Sequence, residues 1–336
     1  MTAKRVGQFT VQFSQPPRIV GAFTLMGPRE GQGPLGKYFD AIVDDYMWGE
    51  YQPEKAERKF LEHAARRALE RAGVSENDVD YFIAGDLMNQ IVSSTFSARS
   101  LGIPHIGVFA ACATSTLGLS LAAMLVDGGF ARRVLVATAS HYQTAERQYR
   151  YPIELNIQRK PTNQWTATGG AAAVVAAEGE GPRISHVTVG RVMDWGVKDA
   201  NHMGAAMAPA AMDTLLRHFQ DTNTTPADFD LILTGDLAQH GSKLFRELVK
   251  REGHTLGGKH MDAGASLYSP EQQPGAGASG AVCSASVLLA YVLKEMAKGR
   301  YRRVLALATG CLHNALTTQQ GDSCPGVCHA LVLENG

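Results

Sequence analysis

The residue of this sequence that is best placed for chemistry is Cys112. It lies in GVFAACATSTLGLSLAAML (107–125), between a short apolar run and a segment with the pattern of a helix. A strand that ends in a turn and presents a thiol over a helix N-terminus suits a nucleophile, because the helix dipole stabilises the thiolate. Three roles are open for Cys112: a nucleophile, a small buried packing residue, or the floor of a binding pocket.

A second group of functional side chains lies in SHYQTAERQYRYP (140–152), directly after the predicted strand RVLVATA. The segment should therefore lie at the carboxyl edge of a sheet, where ligand sites of α/β proteins are found. The alternative is that its arginines pair with Glu146 and Glu154 on a solvated surface. The donors, cations and rings in question are His141, Tyr142, Arg147, Tyr149, Arg150 and Tyr151.

Two aspartates occupy equivalent places in a repeated Gly-Asp-Leu triplet, Asp86 and Asp236. They are candidates for an acid pair at a site, although a buried acid would repel an anionic ligand unless it were protonated or paired. They could also bridge cations, or each could cap the turn that follows its strand. The sequence leaves these three roles open.

The cysteines predict neither a disulfide framework nor a metal site. There are five of them, an odd number in a chain that we expect to be made in the cytosol. SCPGVCH (323–329) brings Cys324, Cys328 and His329 close together, as in some metal sites. However, GVCHALVLE has the apolar pattern of a buried final strand, and no second pair of ligands lies nearby.

Composition excludes some classes of partner. Lys and Arg number 32 and Asp and Glu number 32, so no basic surplus indicates a nucleic acid partner. The N-terminal MTAKRVGQFTVQFSQPP lacks the apolar core of a signal peptide. No run reaches the roughly 18 apolar residues of a membrane span. We therefore expect cytosolic synthesis, with any membrane attachment peripheral.

The chain repeats itself over a long period, which indicates two similar halves. VDYFIAGDLMNQ (79–90) resembles FDLILTGDLAQH (229–240), GGFARRVLVATAS (128–140) resembles KGRYRRVLALATG (298–310), and GGAAAVVAAEG (169–179) resembles GVCHALVLENG (326–336). The three matches occur in the same order. We place the boundary near EGEGPR (178–183), which gives halves of 1–180 and 181–336.

The elements that must position these residues alternate between strands and helices. In the first half, patterning predicts helices over 54–73 and 113–127 and strands over 81–85 and 133–139. In the second half it predicts strands over 230–234 and 303–309 and helices over 241–252 and 281–298. Such alternation predicts an α/β fold with a largely parallel core, the two halves related by a pseudo-twofold axis.

These motifs resemble the thiolase superfamily, which includes thiolases and ketoacyl synthases. GGAAAVVAAEG is similar to their glycine-rich penultimate strands, and PGAGASGAVCSASVLL with RVLALATGCLHNA is similar to the C-terminal run of thiolases. The resemblance implies two pseudo-symmetric βαβαβαββ halves in a five-layer αβαβα arrangement. It also implies dimerisation through the strand before the cysteine, here HIGVFA, so a homodimer is plausible.

A closer resemblance covers nearly the whole chain. GPREGQGPLG, AGDLMNQ, ACATST, VDGGFARR, TAERQYRYP, MGAAMAPAA and LILTGDL together are similar to the stage V sporulation protein AD family. That resemblance implies binding of dipicolinic acid, either free or as its calcium chelate. It implies work with the other stage V sporulation A membrane proteins in uptake into the developing spore, and a peripheral location at the inner membrane of the forespore or spore.

The catalytic bases of the superfamily do not stand at their usual positions. Gln273 replaces the histidine of the thiolase turn His-Pro-Leu-Gly-Ala-Ser-Gly, and Asp236 stands where ketoacyl synthases have another histidine. His240, four positions later, would supply a base if the alignment slipped. Cys311 falls where thiolases keep a second cysteine. We therefore expect a non-catalytic protein in which Cys112 marks a pocket.

Dipicolinic acid is a flat aromatic dianion, which needs donors at both ends and a planar partner for its ring. We expect no resident cofactor and no metal. An active acyl transferase or condensing enzyme using Cys112 and a ligand-free scaffold of the membrane complex remain alternatives. The expected ligand-binding residues are Asp86, Asn89, Cys112, Thr114, His141, Arg147, Arg150, Met207, Asp236 and Ser279.

Overall fold

The first half of the chain forms a mixed α/β unit. The computed structural model describes residues 4–149 and 159–335. In chain order the elements up to residue 176 are β1 (Thr10–Gln12), β2 (Arg18–Met26), α1 (Pro28–Gly31), β3 (Ala41–Ile42), α2 (Pro53–Ala72), β4 (Tyr81–Gly85), α3 (Val92–Leu101), β5 (His105–Gly107), α4 (Thr114–Asp127), β6 (Arg133–Ser140), α5 (Tyr142–Tyr149), β7 (Gln164–Thr166) and β8 (Gly169–Ala176).

The second half repeats this order of strands and helices. A π-helical turn over Val287–Val292 joins α9 to α10 and makes one continuous helical segment. The elements are β9 (Arg183–Val189), α6 (Met203–Thr222), β10 (Leu231–Thr234), α7 (Ala238–Arg251), β11 (His260–Asp262), α8 (Ala263–Ser266), β12 (Gly277–Ser279), α9 (Ala281–Ser286), α10 (Leu293–Ala297), β13 (Arg303–Cys311), α11 (Ala315–Gln319) and β14 (Gly326–Glu334).

The strands form two half-sheets that meet along one edge. Their order is β5-β4-β6-β8-β2 in the first half and β9-β14-β13-β10-β11 in the second, and β2 joins β9 at the pair Arg18 and Arg183. Helices α4 and α9 pack between the half-sheets, α2 and α3 cover the outside of the first, and α6 and α7 cover the second. The predicted βαβαβαββ halves and five layers are confirmed.

Matching polar contacts explain why the two halves share sequence motifs. The carboxylate of Asp80 accepts hydrogen bonds from the backbone N–H groups of Arg132 and Arg133, at 2.6 and 3.1 Å. The carboxylate of Asp230 accepts the equivalent pair from Arg302 and Arg303, at 2.7 and 3.0 Å. In each half an aspartate before one strand therefore fixes the start of the neighbouring strand.

The predicted elements are present, with small shifts at their ends. The helix predicted over 54–73 is α2, and Gly73 ends it in the left-handed conformation at φ +67°. Helix α7 begins at Ala238, three residues earlier than predicted, because the turn after β10 is tight. The expected boundary near residue 180 falls between β8 and β9, and the division into two domains stays a prediction. Among the described residues, every helix is too short or too polar to cross a membrane.

One expectation about the cysteines is wrong. The structure joins Cys311 and Cys324 in a disulfide, with their Cα atoms 6.5 Å apart. Cys311 ends β13 and Cys324 lies just before β14, and these strands are antiparallel neighbours, so the fold brings the two thiols together. The sequence does not show this pairing. Among the described residues no three His, Cys, Asp or Glu side chains are grouped as metal ligands.

Candidate functional site

A cavity of about 830 Å³ opens at the carboxyl ends of the strands, where helix α4 begins. Its volume lies within the range of roughly 300–1,000 Å³ that is typical of small-molecule sites. Both halves contribute to its wall, so it exists only in the assembled fold. The polar and aromatic side chains that line it include Cys112, Tyr142, Glu146, Arg147, Tyr149, Arg159, Gln164, Ser279 and His313.

Close backbone packing holds Cys112 at this position. The preceding residue, Ala111, has φ +49°, a left-handed conformation that is unusual for a residue with a side chain. Gly310 of β13 approaches this turn so closely that a Cβ atom there would lie 2.2 Å from the carbonyl oxygen of Ala110. The second half of the chain therefore packs directly against the turn that carries Cys112.

The surroundings of Cys112 keep its thiol protonated. Burial raises the pKa of Cys112 well above its ordinary value, and the nearby Asp236 raises the pKa further. The backbone N–H of Gly280 points to the sulfur and opposes this rise only in part. A reactive cysteine needs the opposite, a lowered pKa. The site therefore favours a neutral thiol at neutral pH.

Asp236 is a buried acid beside two thiols. Burial raises the pKa of Asp236 well above its ordinary value; Cys283 and Ser284, which lie near the carboxyl group, oppose this rise, and Asp262 adds to it. Among the described residues, none donates a hydrogen bond of ordinary geometry to either carboxyl oxygen. Burial without such a hydrogen bond therefore favours the neutral form of the Asp236 carboxyl group.

Asp86 caps a turn and does not line the cavity. Its Oδ1 accepts a hydrogen bond from the backbone N–H of Met88 at 3.0 Å. Its Oδ2 accepts bonds from the backbone N–H and the hydroxyl of Ser94, at 2.8 and 2.7 Å. Of the roles that the sequence left open for Asp86, the structure shows the cap. Asp236 differs although it occupies the equivalent place.

His141 is a neutral structural residue. Its Nε2 lies 3.1 Å from the carbonyl oxygen of Tyr46, which only accepts, and its Nδ1 accepts from the backbone N–H of Gln143 at 3.1 Å. The proton therefore sits on Nε2. Burial lowers the pKa of His141 as well. The prediction that His141 supplies a positive or donor group to a ligand is corrected by these contacts, because both ring nitrogens have backbone partners.

Three other expected ligand-binding residues are not among those that line the cavity. The Thr114 hydroxyl donates to the carbonyl of Ala111 at 2.6 Å and so stabilises the cysteine turn. Met207 is buried in the core between α6 and the second half-sheet. Asn89 is exposed, and its side-chain oxygen accepts a bond from Gln148 at 3.2 Å.

Helix α5 carries Arg147, one of the predicted basic side chains, to the cavity. Its Thr144 hydroxyl donates to the buried Glu57 at 2.5 Å, which anchors the helix to α2. Arg147 lines the cavity, with 54% of its side chain exposed, and pairs with Glu54 at 2.7 Å. Ser279 also lines the cavity. Arg150 lies outside the described residues.

Several cavity residues were not found from the sequence, among them Arg159, Gln164 and His313. Arg159 lies before β7 and Gln164 is its first residue, and Gln164 Nε2 donates to the carbonyls of Asp236 and Ala278, at 2.6 and 3.0 Å. His313 lies with its ring 5.3 Å from that of Tyr149, and burial lowers its pKa. The position of His313 just after the end of a predicted strand is a sequence feature that could have identified it. The sequence offers no such feature for Arg159 or Gln164.

The residues that were considered as bases lie away from the cavity lining. Gln273 is exposed at φ +51°, after a short turn that precedes β12. His240 is exposed on α7, with its ring 6.0 Å from that of His202. Titratable groups that interact with Cys112 include the buried Asp236 and Cys283 and the partly buried Tyr149.

Known proteins with this sequence pattern and this fold are of two kinds. A family model of stage V sporulation protein AD matches residues 7–334. The stage V sporulation protein AD of Bacillus subtilis (strain 168) is 43% identical over 331 residues, which cover 98% of each chain. The β-ketoacyl-[acyl-carrier-protein] synthase III of Chlamydia trachomatis serovar D is 28% identical over 162 residues, 46% of this chain and 47% of that protein.

Solved structures show the fold class. The 3-oxoacyl-[acyl-carrier-protein] synthase III of Aquifex aeolicus VF5 superposes with a TM-score of 0.58 at 13% identity, over 95% of this chain and 99% of that one. The acetamide-bound OleA of Xanthomonas campestris gives 0.63 at 15% identity, over 96% and 99%. At such identities the likeness concerns the fold alone. With its thiolase-like fold, this chain belongs to the stage V sporulation protein AD family.

Proposed function

We propose that this sporulation protein is a non-catalytic thiolase-fold protein that binds dipicolinic acid. In this proposal it takes part in uptake of the ligand into the developing spore, together with the stage V sporulation A membrane complex. The observation that carries the proposal is a ligand-sized cavity with a protonated Cys112 at its floor. The fold keeps the pocket, while the electrostatics disfavour a thiolate.

The lining of the cavity supports a planar anionic ligand. Arg147 and Arg159 supply positive charge, and Tyr142 and Tyr149 supply ring surfaces. Ser279 adds a hydroxyl. Dipicolinic acid carries two carboxylates on one flat ring, so it needs cationic donors and an aromatic surface together. If calcium is bound as well, the ligand brings it as a chelate.

Isothermal titration of the full chain with dipicolinate tests the binding proposal. We expect a saturable heat, and pyridine, which lacks the carboxylates, should give none. Replacing Arg147 with alanine should weaken binding by about 1–3 kcal/mol if this side chain makes a charge-assisted bond to the ligand. A folded protein that gives no heat with dipicolinate, with or without calcium, would exclude this function.

We further propose a peripheral location at the inner membrane of the forespore, through contacts with membrane proteins of the complex. Co-purification from sporulating cells tests this, and recovery in the soluble fraction only would contradict it. A homodimer is supported by β5, a short strand at the edge of its half-sheet, followed by Phe109 with 48% exposure. In analytical ultracentrifugation, we expect the wild-type protein to sediment as a dimer and Phe109→Asp to sediment as a monomer.

A second function, acyl transfer through Cys112, is favoured by one observation. His313 lines the same cavity as Cys112, and burial lowers its pKa, so a neutral imidazole is available as a base. The OleA of Xanthomonas campestris, which shares the fold, was solved with lauroyl-CoA. An acyl adduct on the intact protein after incubation with acyl-CoA, absent in Cys112→Ser, would establish this function instead.

A further inference from the structure

Two aromatic rings and a guanidinium group form a stack beside the cavity. The Tyr142 ring lies on the Trp165 ring with centroids 4.0 Å apart and planes 10° apart. The Arg29 guanidinium lies 3.9 Å from the Trp165 centroid and donates to the carbonyl of Gln272. Trp165 therefore has a partner on both faces, and Tyr142 is among the residues that line the cavity.

Arg159 lies beside this stack, in contact with both of its rings, and also lines the cavity. Its guanidinium carbon lies 4.8 Å from the Trp165 centroid and 5.2 Å from that of Tyr142. Its Nη2 donates to the Tyr142 hydroxyl at 2.7 Å and pairs with Glu146 Oε1 at 2.5 Å. Within the described part of the chain, Nε and Nη1 have no bonded acceptor, and 26% of the side chain is exposed.

We propose that Arg159 binds a carboxylate of a planar aromatic acid, and that the ring of this ligand lies against Tyr142. This inference rests on the proposed function and names the residues that would carry it out. The stack holds the guanidinium in place before the ligand arrives, so little side-chain entropy is lost on binding. The N–H groups of Nε and Nη1 then form charge-assisted hydrogen bonds with the carboxylate.

Glu146 sets the strength of this interaction. Its carboxylate already neutralises part of the Arg159 charge and would lie close to the incoming anion. The carboxylate of Glu146 and the carboxylate of the ligand would therefore repel each other. A ligand with two carboxylates gains more from Arg159 and Arg147 together than a monoacid does. The two partners of the ion pair should therefore have opposite effects when each is neutralised.

Isothermal titration with dipicolinate of the full chain and of three variants tests this assignment. Arg159→Gln should weaken binding about tenfold to a hundredfold, the effect of losing a charge-assisted hydrogen bond. Glu146→Gln should tighten binding severalfold. Arg251→Gln has the same charge change on the exposed end of α7 and should stay within twofold of wild type.

The outcomes separate this inference from the proposed function. No heat with the folded wild-type protein excludes the proposed function. If the wild-type protein binds dipicolinate and the affinity of Arg159→Gln lies within threefold of wild type, the role of Arg159 is overturned while the proposed function stands. If Arg159→Gln does not fold, Tyr142→Leu and Tyr142→Phe decide: the phenylalanine keeps the ring and should stay within threefold, and the leucine should weaken binding tenfold. Equal affinities for these two variants would overturn the inference.

Discussion

A buried histidine should make the stability of this protein fall in mild acid. His218 of α6 is 1% exposed, and its Nδ1 lies 2.8 Å from the Thr188 hydroxyl. Its Nε2 is buried, and no described residue forms a hydrogen bond with it. Burial, together with repulsion from His186 and Arg303, lowers the pKa of His218 to about 3. The folded protein therefore holds His218 neutral at pH 5.

The size of the effect follows from proton linkage. In the unfolded chain His218 has a pKa of about 6.5, so it takes up a proton between pH 7.5 and 5.0 while the folded protein does not. A group whose folded pKa is lowered in this way destabilises the fold as pH decreases. From the two pKa values, the free energy of unfolding should fall by about 2 kcal/mol over this interval because of His218 alone.

The change that isolates this contribution is His218→Gln, which keeps a polar side chain and removes the titration. Urea unfolding at pH 7.5 and 5.0, followed by circular dichroism, gives the loss of stability for each protein. The loss should be about 2 kcal/mol smaller in the variant. His260 and His329 are also buried, with pKa values lowered to about 4, and they contribute equally to both proteins.

The exposed His240 gives a matched control. His240→Gln makes the same substitution at an exposed position of α7, so any effect of the substitution itself, apart from burial, would appear in this variant. If His218→Gln and wild type lose the same free energy between the two pH values, His218 is not held neutral by the fold. The argument from its burial would then be refuted.

Three further predictions concern the surroundings of the cavity. Gly310→Ala should lower the free energy of unfolding by about 1–3 kcal/mol, because the new Cβ would clash with the turn that carries Cys112. Gly258→Ala places its Cβ in open space, so its free energy of unfolding, measured with urea, should stay within about 0.5 kcal/mol of wild type. The disulfide of Cys311 and Cys324 closes a separation of 13 residues, so the double serine variant should lose about 3 kcal/mol against the oxidised protein; equal stabilities would contradict this. Because the pKa of Asp236 is raised in the folded protein, wild type should lose stability as pH rises above about 4, and Asp236→Asn should not show this loss. Identical pH profiles of stability for the two proteins would show that folding does not raise this pKa.

The sequence alone was sufficient for the architecture. The repeated Gly-Asp-Leu triplets and the paired GGFARRVLVATAS and KGRYRRVLALATG motifs encode strands and turns that form by local rules, and the structure confirms both halves. The position of Cys112 at the start of α4 was likewise predictable, because an apolar run, a turn and a helix follow one another along the chain. Such features depend on residues that are near one another in sequence.

Only the tertiary structure decided which side chains meet at the cavity. Asp86 and Asp236 occupy the same place in the repeated triplet. Asp86 accepts hydrogen bonds from Ser94, whereas Asp236 is buried beside Cys112 without such a partner. Arg159 reaches the site because Trp165 and Tyr142 stack, and Cys311 meets Cys324 because β13 and β14 are antiparallel. These contacts join residues from separate elements, so their distances and their pKa shifts arise only when the layers pack.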